Sequence, residues 1–139
     1  MDPDEGQLRE LAVRYTEAWC SGDPACVAAH YAPDGSLAIN GGASSVGRAA
    51  IAEAAKSFMD AFPDLQVLLE EVRVRKGGGG EYHWTLVGTN TGPGGTGKRV
   101  RISGHEQWEL ADGLIASSQG HYDAAEYDRQ VEHGVDERG

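Results

Sequence analysis

Two carboxylates and an imidazole, Glu106, His121 and Asp123, fall on one inferred strand face in the last third of the chain. From Arg99 to Leu110 the even positions are Val100, Ile102, Gly104, Glu106, Trp108 and Leu110, while the odd ones are Arg99, Arg101, Ser103, His105, Gln107 and Glu109. Period-two alternation marks a strand with one buried face, and Glu106 interrupts it by placing a carboxyl on the apolar side. Asp112-Gly113 is a strong two-residue hairpin signal. With that turn, Leu110 shares a side with Ile115, and the same side runs on through Ser117, Gln119, His121 and Asp123. The inferred interior face begins apolar and ends polar and ionisable, as the wall of a pocket would.

The chemistry open to such a set is proton transfer. A carboxyl buried away from cations has a raised pKa, by up to ~3–5 units when fully buried, and can then act as a general acid near neutrality. Imidazole titrates there without help. Together they suit a carbonyl or enol on an apolar substrate. Plainer roles stand beside these. Asp123 can cap the segment that begins Ala124-Ala-Glu, and His121 can be a hydrogen-bonded core histidine. A one-residue slip would turn Glu106 to solvent. His121 and Asp123 have no third ligand at a diagnostic metal spacing. Ser117-Ser118 lacks a nucleophile elbow.

These residues need elements to hold them. Leu8, Leu11, Ala12, Tyr15, Ala18 and Trp19 recur at helical spacing and predict a first helix. Ser21-Gly22-Asp23-Pro24 ends it and starts a short second helix carrying Val27, Ala28 and Tyr31, closed by Pro33-Asp34-Gly35. Ser36 to Asn40 alternates like a brief strand, and residues 41–45 read as loop. Gly47-Arg48 opens a third helix with an apolar face of Ile51, Ala55, Phe58, Met59 and Phe62. Four strands follow. Leu65 to Lys76 changes phase near Glu70-Glu71, which predicts a bulge, and residues 77–80 form a hairpin tip. Glu81 to Thr89 turns Tyr82, Trp84 and Leu86 to one side and His83 to the other. The Gly-rich stretch 91–97 lacks the Gly-Lys-Ser/Thr ending of a phosphate cradle.

The chain has 139 residues, enough for one core and too few for two. A formal net charge of −10 argues against nucleic-acid binding. No apolar run approaches the roughly 20 residues of a membrane span, and the acidic start reads against a signal peptide. A cytoplasmic location is expected. Cys20 and Cys26 are expected to be reduced thiols.

The order helix, helix, short strand, helix and four meandering strands resembles the nuclear-transport-factor-like cone. In particular the chain is similar to the SnoaL-like polyketide cyclases and the ketosteroid isomerases. The resemblance runs from about Leu8 to Gln130 through Arg14-Tyr15-Thr-Glu-Ala-Trp19, Gly22-Asp23, Tyr31-Ala-Pro-Asp34 and Gly47-Arg48-Ala-Ala-Ile51. It continues in Trp84-x-x-x-Gly88, Thr96-Gly97-Lys98, Asp112-Gly113-Leu-Ile115 and Ser118-Gln-Gly-His-Tyr-Asp123.

The resemblance implies an α+β fold in which three N-terminal helices pack on the concave face of a curved, mainly antiparallel sheet around an internal pocket. One domain spans residues 1–139, with an ordered core of about 6–130 and a tail of 131–139. Tyr15 matches the tyrosine that stabilises the enolate oxygen in ketosteroid isomerases. Their general-base aspartate falls on Ile39, with Asn40 beside it, and neither can abstract a proton in that way. Their second oxyanion donor, a protonated carboxyl, falls at or next to Glu106. Asp123 matches the acid/base aspartate of the SnoaL-like cyclases, and Gln119 stands where that family often has Trp. The implied protein is a homodimeric enzyme needing neither cofactor nor metal, acting on a hydrophobic small molecule by cyclisation, isomerisation or dehydration. Asp123 moves the proton, His121 relays it, and Tyr15 and Glu106 bind the oxyanion. Trp19, Ile39, Asn40, Trp108 and Gln119 hold the substrate. The alternative is a non-catalytic ligand-binding or dimerisation module of the same fold.

Overall fold

A computed structural model describes residues 5–75 and 79–134. The expected hairpin tip at 77–80 and the tail from 131 therefore lie partly outside the described residues. The elements run α1 (Glu5–Cys20), α2 (Pro24–Ala28), β1 (Tyr31–Ile39), β2 (Ser45–Val46), α3 (Arg48–Ala61), β3 (Gln66–Val74), β4 (Gly80–Thr89), β5 (Arg99–Ala111), β6 (Leu114–Tyr122) and α4 (Ala124–His133). One six-stranded sheet has the order β2-β1-β6-β5-β4-β3. Every pairing is antiparallel except β1 with β6. This is the mixed α+β layering expected, with helices against one curved open sheet.

The core follows from the stripes in the sequence. Leu8, Ala12, Tyr15 and Ala18 of α1 and Ile51, Ala55 and Met59 of α3 are buried with Val72, Tyr82, Trp108 and Ile115 of the sheet. A second cluster gathers Phe62, Leu65, Val67, Leu86, Val100 and Ile102. Each large side chain so buried contributes roughly 1.5–3 kcal/mol. The bulge expected near Glu70-Glu71 is present, as the β3–β4 register shifts between Leu69 and Glu71.

Three expectations about elements need correction. Tyr31 is not in the second helix, which ends at Ala28; it starts β1, where it pairs with Ile115 of β6. The Pro33-Asp34-Gly35 run interrupts that strand as an irregularity between Tyr31 and Ser36 rather than ending a helix. The three expected N-terminal helices are present as α1, α2 and α3, and a fourth, α4, follows the sheet and lays Tyr127 and Val131 against the second cluster. The third correction concerns β6. Leu110 pairs with Ile115 but Glu109 with Ser117, which leaves Ala116 as an extra residue. One inserted residue reverses the facing of all that follow. Ser118 and Gly120 are therefore buried and Gln119 exposed.

Candidate functional site

Glu106 lies at the centre of β5, opposite Gly120 of β6 and Tyr82 of β4. It is 8% exposed, and the hydrogen bonds to its carboxyl come from neutral donors. Ser118 Oγ donates to Oε1 at 2.7 Å, Trp108 Nε1 at 2.9 Å and the Tyr15 hydroxyl at 3.1 Å. Among the described residues Oε2 has only the long arm of Tyr15, at 3.3 Å. The Tyr15 hydroxyl is also 2.9 Å from that of Tyr31. Burial raises the pKa of Glu106, and the bonds from Trp108, Ser118 and Tyr15 offset part of that rise. The same burial, with Glu106 close by, holds the phenols of Tyr15 and Tyr31 well above the ordinary tyrosine value. They are donors throughout the physiological range.

An aromatic nest supports this network. Tyr82 stacks on Trp108 with centroids 4.9 Å apart, and Tyr15 meets both rings edge-on at 5.4 and 5.3 Å. The Tyr82 hydroxyl is fixed by Thr16 Oγ1 of α1, 2.5 Å away.

Glu106 also lines a cavity of ≈ 60 Å³. That is several times the ~10–15 Å³ one water needs, room for one end of a small ligand beside the acid. Its other walls are almost wholly apolar: Trp19 of α1 and Phe58 of α3, Leu37 and Ile39 of β1, Val67 of β3, Tyr82, Trp84 and Leu86 of β4, Ile102 of β5 and Tyr127 of α4. Gly120, His121 and Tyr122 close it along β6. The Trp84 indole lies over Gly104, and its Nε1 is a buried donor with no hydrogen-bond partner among the described residues.

The expected site residues divide into three groups. Glu106, Trp19 and Ile39 meet at the cavity. Tyr15 and Trp108 are 0% exposed and lie behind Glu106, outside the cavity wall, with their donors directed to its carboxyl. They position the acid rather than meet a ligand. Asp123, Gln119 and Asn40 are not brought to Glu106. Asp123 is exposed and caps α4, accepting from the Glu126 backbone N–H at 3.0 Å. Gln119 faces out because of the β6 bulge. Asn40 takes a positive φ of 52° at the end of β1, where its Oδ1 accepts from the Tyr122 N–H. His121 borders the cavity, but its ring packs on His105, 5.1 Å away, and His105 in turn on His83 at 5.5 Å. Among the described residues no group of three or more His, Cys, Asp or Glu is placed to hold a metal ion. No helix among them is long and apolar enough to cross a membrane.

Ser118, Tyr31 and Tyr127 escape the sequence reading. Ser118 faces inward only because of the bulge, Tyr31 belongs to β1 and not to the helix its spacing suggests, and Tyr127 sits beyond the expected strands. The one signal for Tyr127 is the cap-like Asp123 followed by Glu126, an N-terminal helix signature.

The model of the SnoaL-like polyketide cyclase family matches residues 9–131. Several solved structures are similar. A candidate SnoaL-like polyketide cyclase from Jannaschia sp. CCS1 is 18% identical with a TM-score of 0.81, over 95% of this chain and 97% of that one. A protein with a ketosteroid isomerase-like fold from Catenulispora acidiphila DSM 44928, solved with trimethylamine, is 18% identical over 94% and 98%, with a TM-score of 0.78. A candidate polyketide cyclase from Xanthomonas campestris pv. campestris is 26% identical over 91% and 97%, with a TM-score of 0.74. A search of the curated proteins found no match.

Proposed function

This chain belongs to the SnoaL-like polyketide cyclases, and from that premise we propose that it is an acid/base enzyme acting on a small, apolar, carbonyl-containing molecule, with Glu106 as the group that exchanges the proton. The observation that carries this reading is a single buried carboxyl, held by three neutral donors, at the wall of an otherwise apolar cavity. The substrate occupies the cavity among Trp19, Phe58, Trp84 and Tyr127. Its carbonyl end meets Glu106. With its pKa raised by burial, the carboxyl can give a proton to the carbonyl oxygen or take one from the adjacent carbon, and the apolar walls keep water from competing. Cyclisation, isomerisation and dehydration of a carbonyl compound all begin or end with such a step. A two-fold dimer and a cytoplasmic location belong to the same proposal; the free Cys20 and Cys26 suit a reducing compartment.

The test uses cyclohexanone, a single ring with exchangeable protons beside its carbonyl. Protein-catalysed deuterium uptake, followed by NMR, should be lost by ~10²–10⁴-fold in Glu106→Gln, while cyclohexanone binding is little changed. The second reading, a ligand-binding module without catalysis, is favoured by the position of Asp123 away from the cavity. Saturable cyclohexanone binding with no exchange above background would decide for it.

A further inference from the structure

We infer that Ser118 is a positioning residue that locks the Glu106 carboxyl so that Oε2 is the oxygen through which protons pass to and from a ligand. The inference deepens the acid/base reading of Glu106 and rests on it. A carboxylate has about four lone-pair directions over its two oxygens. Three donors converge on Oε1, from Ser118 at 2.7 Å, Trp108 at 2.9 Å and Tyr15 at 3.1 Å. Among the described residues Oε2 receives only the 3.3 Å arm of Tyr15. Oε1 is therefore saturated, and Oε2 keeps its lone pairs for a partner in the cavity that Glu106 lines.

The donors are not equivalent. Tyr15 spans both oxygens and by itself does not distinguish them. Trp108 lies two residues along the same strand and shares its backbone with Glu106. Ser118 comes from β6, makes the shortest bond, and is 0% exposed. Its inward facing depends on the extra residue at Ala116. The bulge thus has a consequence at the site: without it, Ser117 or Gln119 would face the acid.

The surrounding groups leave the titration to Glu106. Tyr15 of α1, Tyr31 of β1 and Tyr82 of β4 all have raised pKa values and stay protonated. His121 of β6 turns its ring to His105. Among the described residues no Lys or Arg lines the cavity.

The test is a ¹³C NMR titration of the Glu106 carboxyl in the full chain, assigned by Glu106→Gln, with no substrate needed. Loss of a hydrogen bond that favours the charged form should move the midpoint in Ser118→Ala upward by about one unit or more. Ser118→Thr, which keeps the hydroxyl, should return most of that shift. Trp108→Phe, which removes a donor from the same oxygen, should shift it in the same direction and serves if Ser118→Ala does not fold. In deuterium exchange with cyclohexanone the pH profile of Ser118→Ala should move with the carboxyl. An unchanged or lowered midpoint in Ser118→Ala overturns the inference. If the midpoint rises but no protein, wild type included, catalyses exchange, the positioning role stands and the acid/base reading of Glu106 falls.

Discussion

Burying the Glu106 carboxyl costs its ionised form more than its neutral form, and this has a readable effect on stability. The unfolded chain releases this proton near the ordinary glutamate value of about 4.3; the folded chain releases it only at higher pH. Between the two values the folded state binds more protons, so stability falls as pH rises through that window and levels off above the folded pKa. Glu106→Gln should remove this slope: its urea midpoint should gain on that of the wild type as pH rises from about 4.3. Parallel midpoints across the window would show that burial does not perturb the acid. Asp123 makes the opposite case, a residue whose type invites a catalytic role and whose position gives it a structural one. Asp123→Ala should cost roughly 1 kcal/mol through loss of the α4 cap, and Asp123→Ser should restore most of it. Exchange activity should be unaffected. A folded Asp123→Ala protein with a large loss of exchange would put Asp123 back at the centre of the chemistry. Glu106 is legible in the sequence because a carboxyl at an even position among Val100, Ile102 and Trp108 must share their buried face if the strand is regular. Ser118 is not legible, since nothing in Ala116-Ser117-Ser118 marks which residue is the extra one.

The β5–β6 hairpin holds both a legible and an illegible part of the fold. Its turn is readable because Asp112 and Gly113 both take positive φ, 53° and 79°, which the Asp-Gly pair accommodates. The strand beyond is not: the β3 bulge shows as a phase change among large apolar residues, whereas Ala116, Ser117 and Ser118 are too alike in size to mark the extra residue in β6. The same holds for α2, where Tyr31 has helical spacing but is drawn into β1 by its pairing with Ile115. Gly104 marks a further element-scale constraint. A Cβ at this position would lie 2.5 Å from the His121 carbonyl oxygen and 2.6 Å from Trp84 Cζ2. The indole could swing away, but the β6 backbone could not without loosening the strand pair that presents Ser118. Gly104→Ala should therefore lower stability by ~1–3 kcal/mol, read as a drop of several degrees in Tm, with a change in tryptophan fluorescence as Trp84 shifts. An unchanged melt with unchanged fluorescence would mean that β6 yields freely at this point.

At the scale of the molecule, one face of the sheet is occupied by the helices and the cavity, and the opposite face is open to a partner. Simple alternation along β6 would put Tyr122 and Leu114 on that outer face, as apolar groups for a dimer to cover. Tyr122 instead packs inward against Trp84 and Tyr127, so the outer face is more polar than expected. What it does carry is Leu68, 42% exposed, and a row formed by His83, His105 and His121 across three strands. Glu81 anchors the row at His83, 2.6 Å away, with Glu71 and Arg73 on the edge strand beyond it. Burial and the two neighbouring imidazoles lower the pKa of His105, because protonating it would place positive charges side by side. If the proposed dimer pairs through this face, contact with the partner removes water from the row and makes protonation still less favourable. The free chain then takes up the His105 proton more readily than the dimer as pH falls below the ordinary histidine value of ~6.5, and linkage requires the dimer to weaken there. Sedimentation equilibrium at micromolar concentration should show a dimer at neutral pH whose dissociation constant rises on acidification. His105→Gln should flatten that dependence, since it removes the imidazole whose protonation the contact opposes. A monomer at neutral pH removes the dimer from the proposal. A dimer indifferent to acid in the wild type would place the contact elsewhere than on the histidine row.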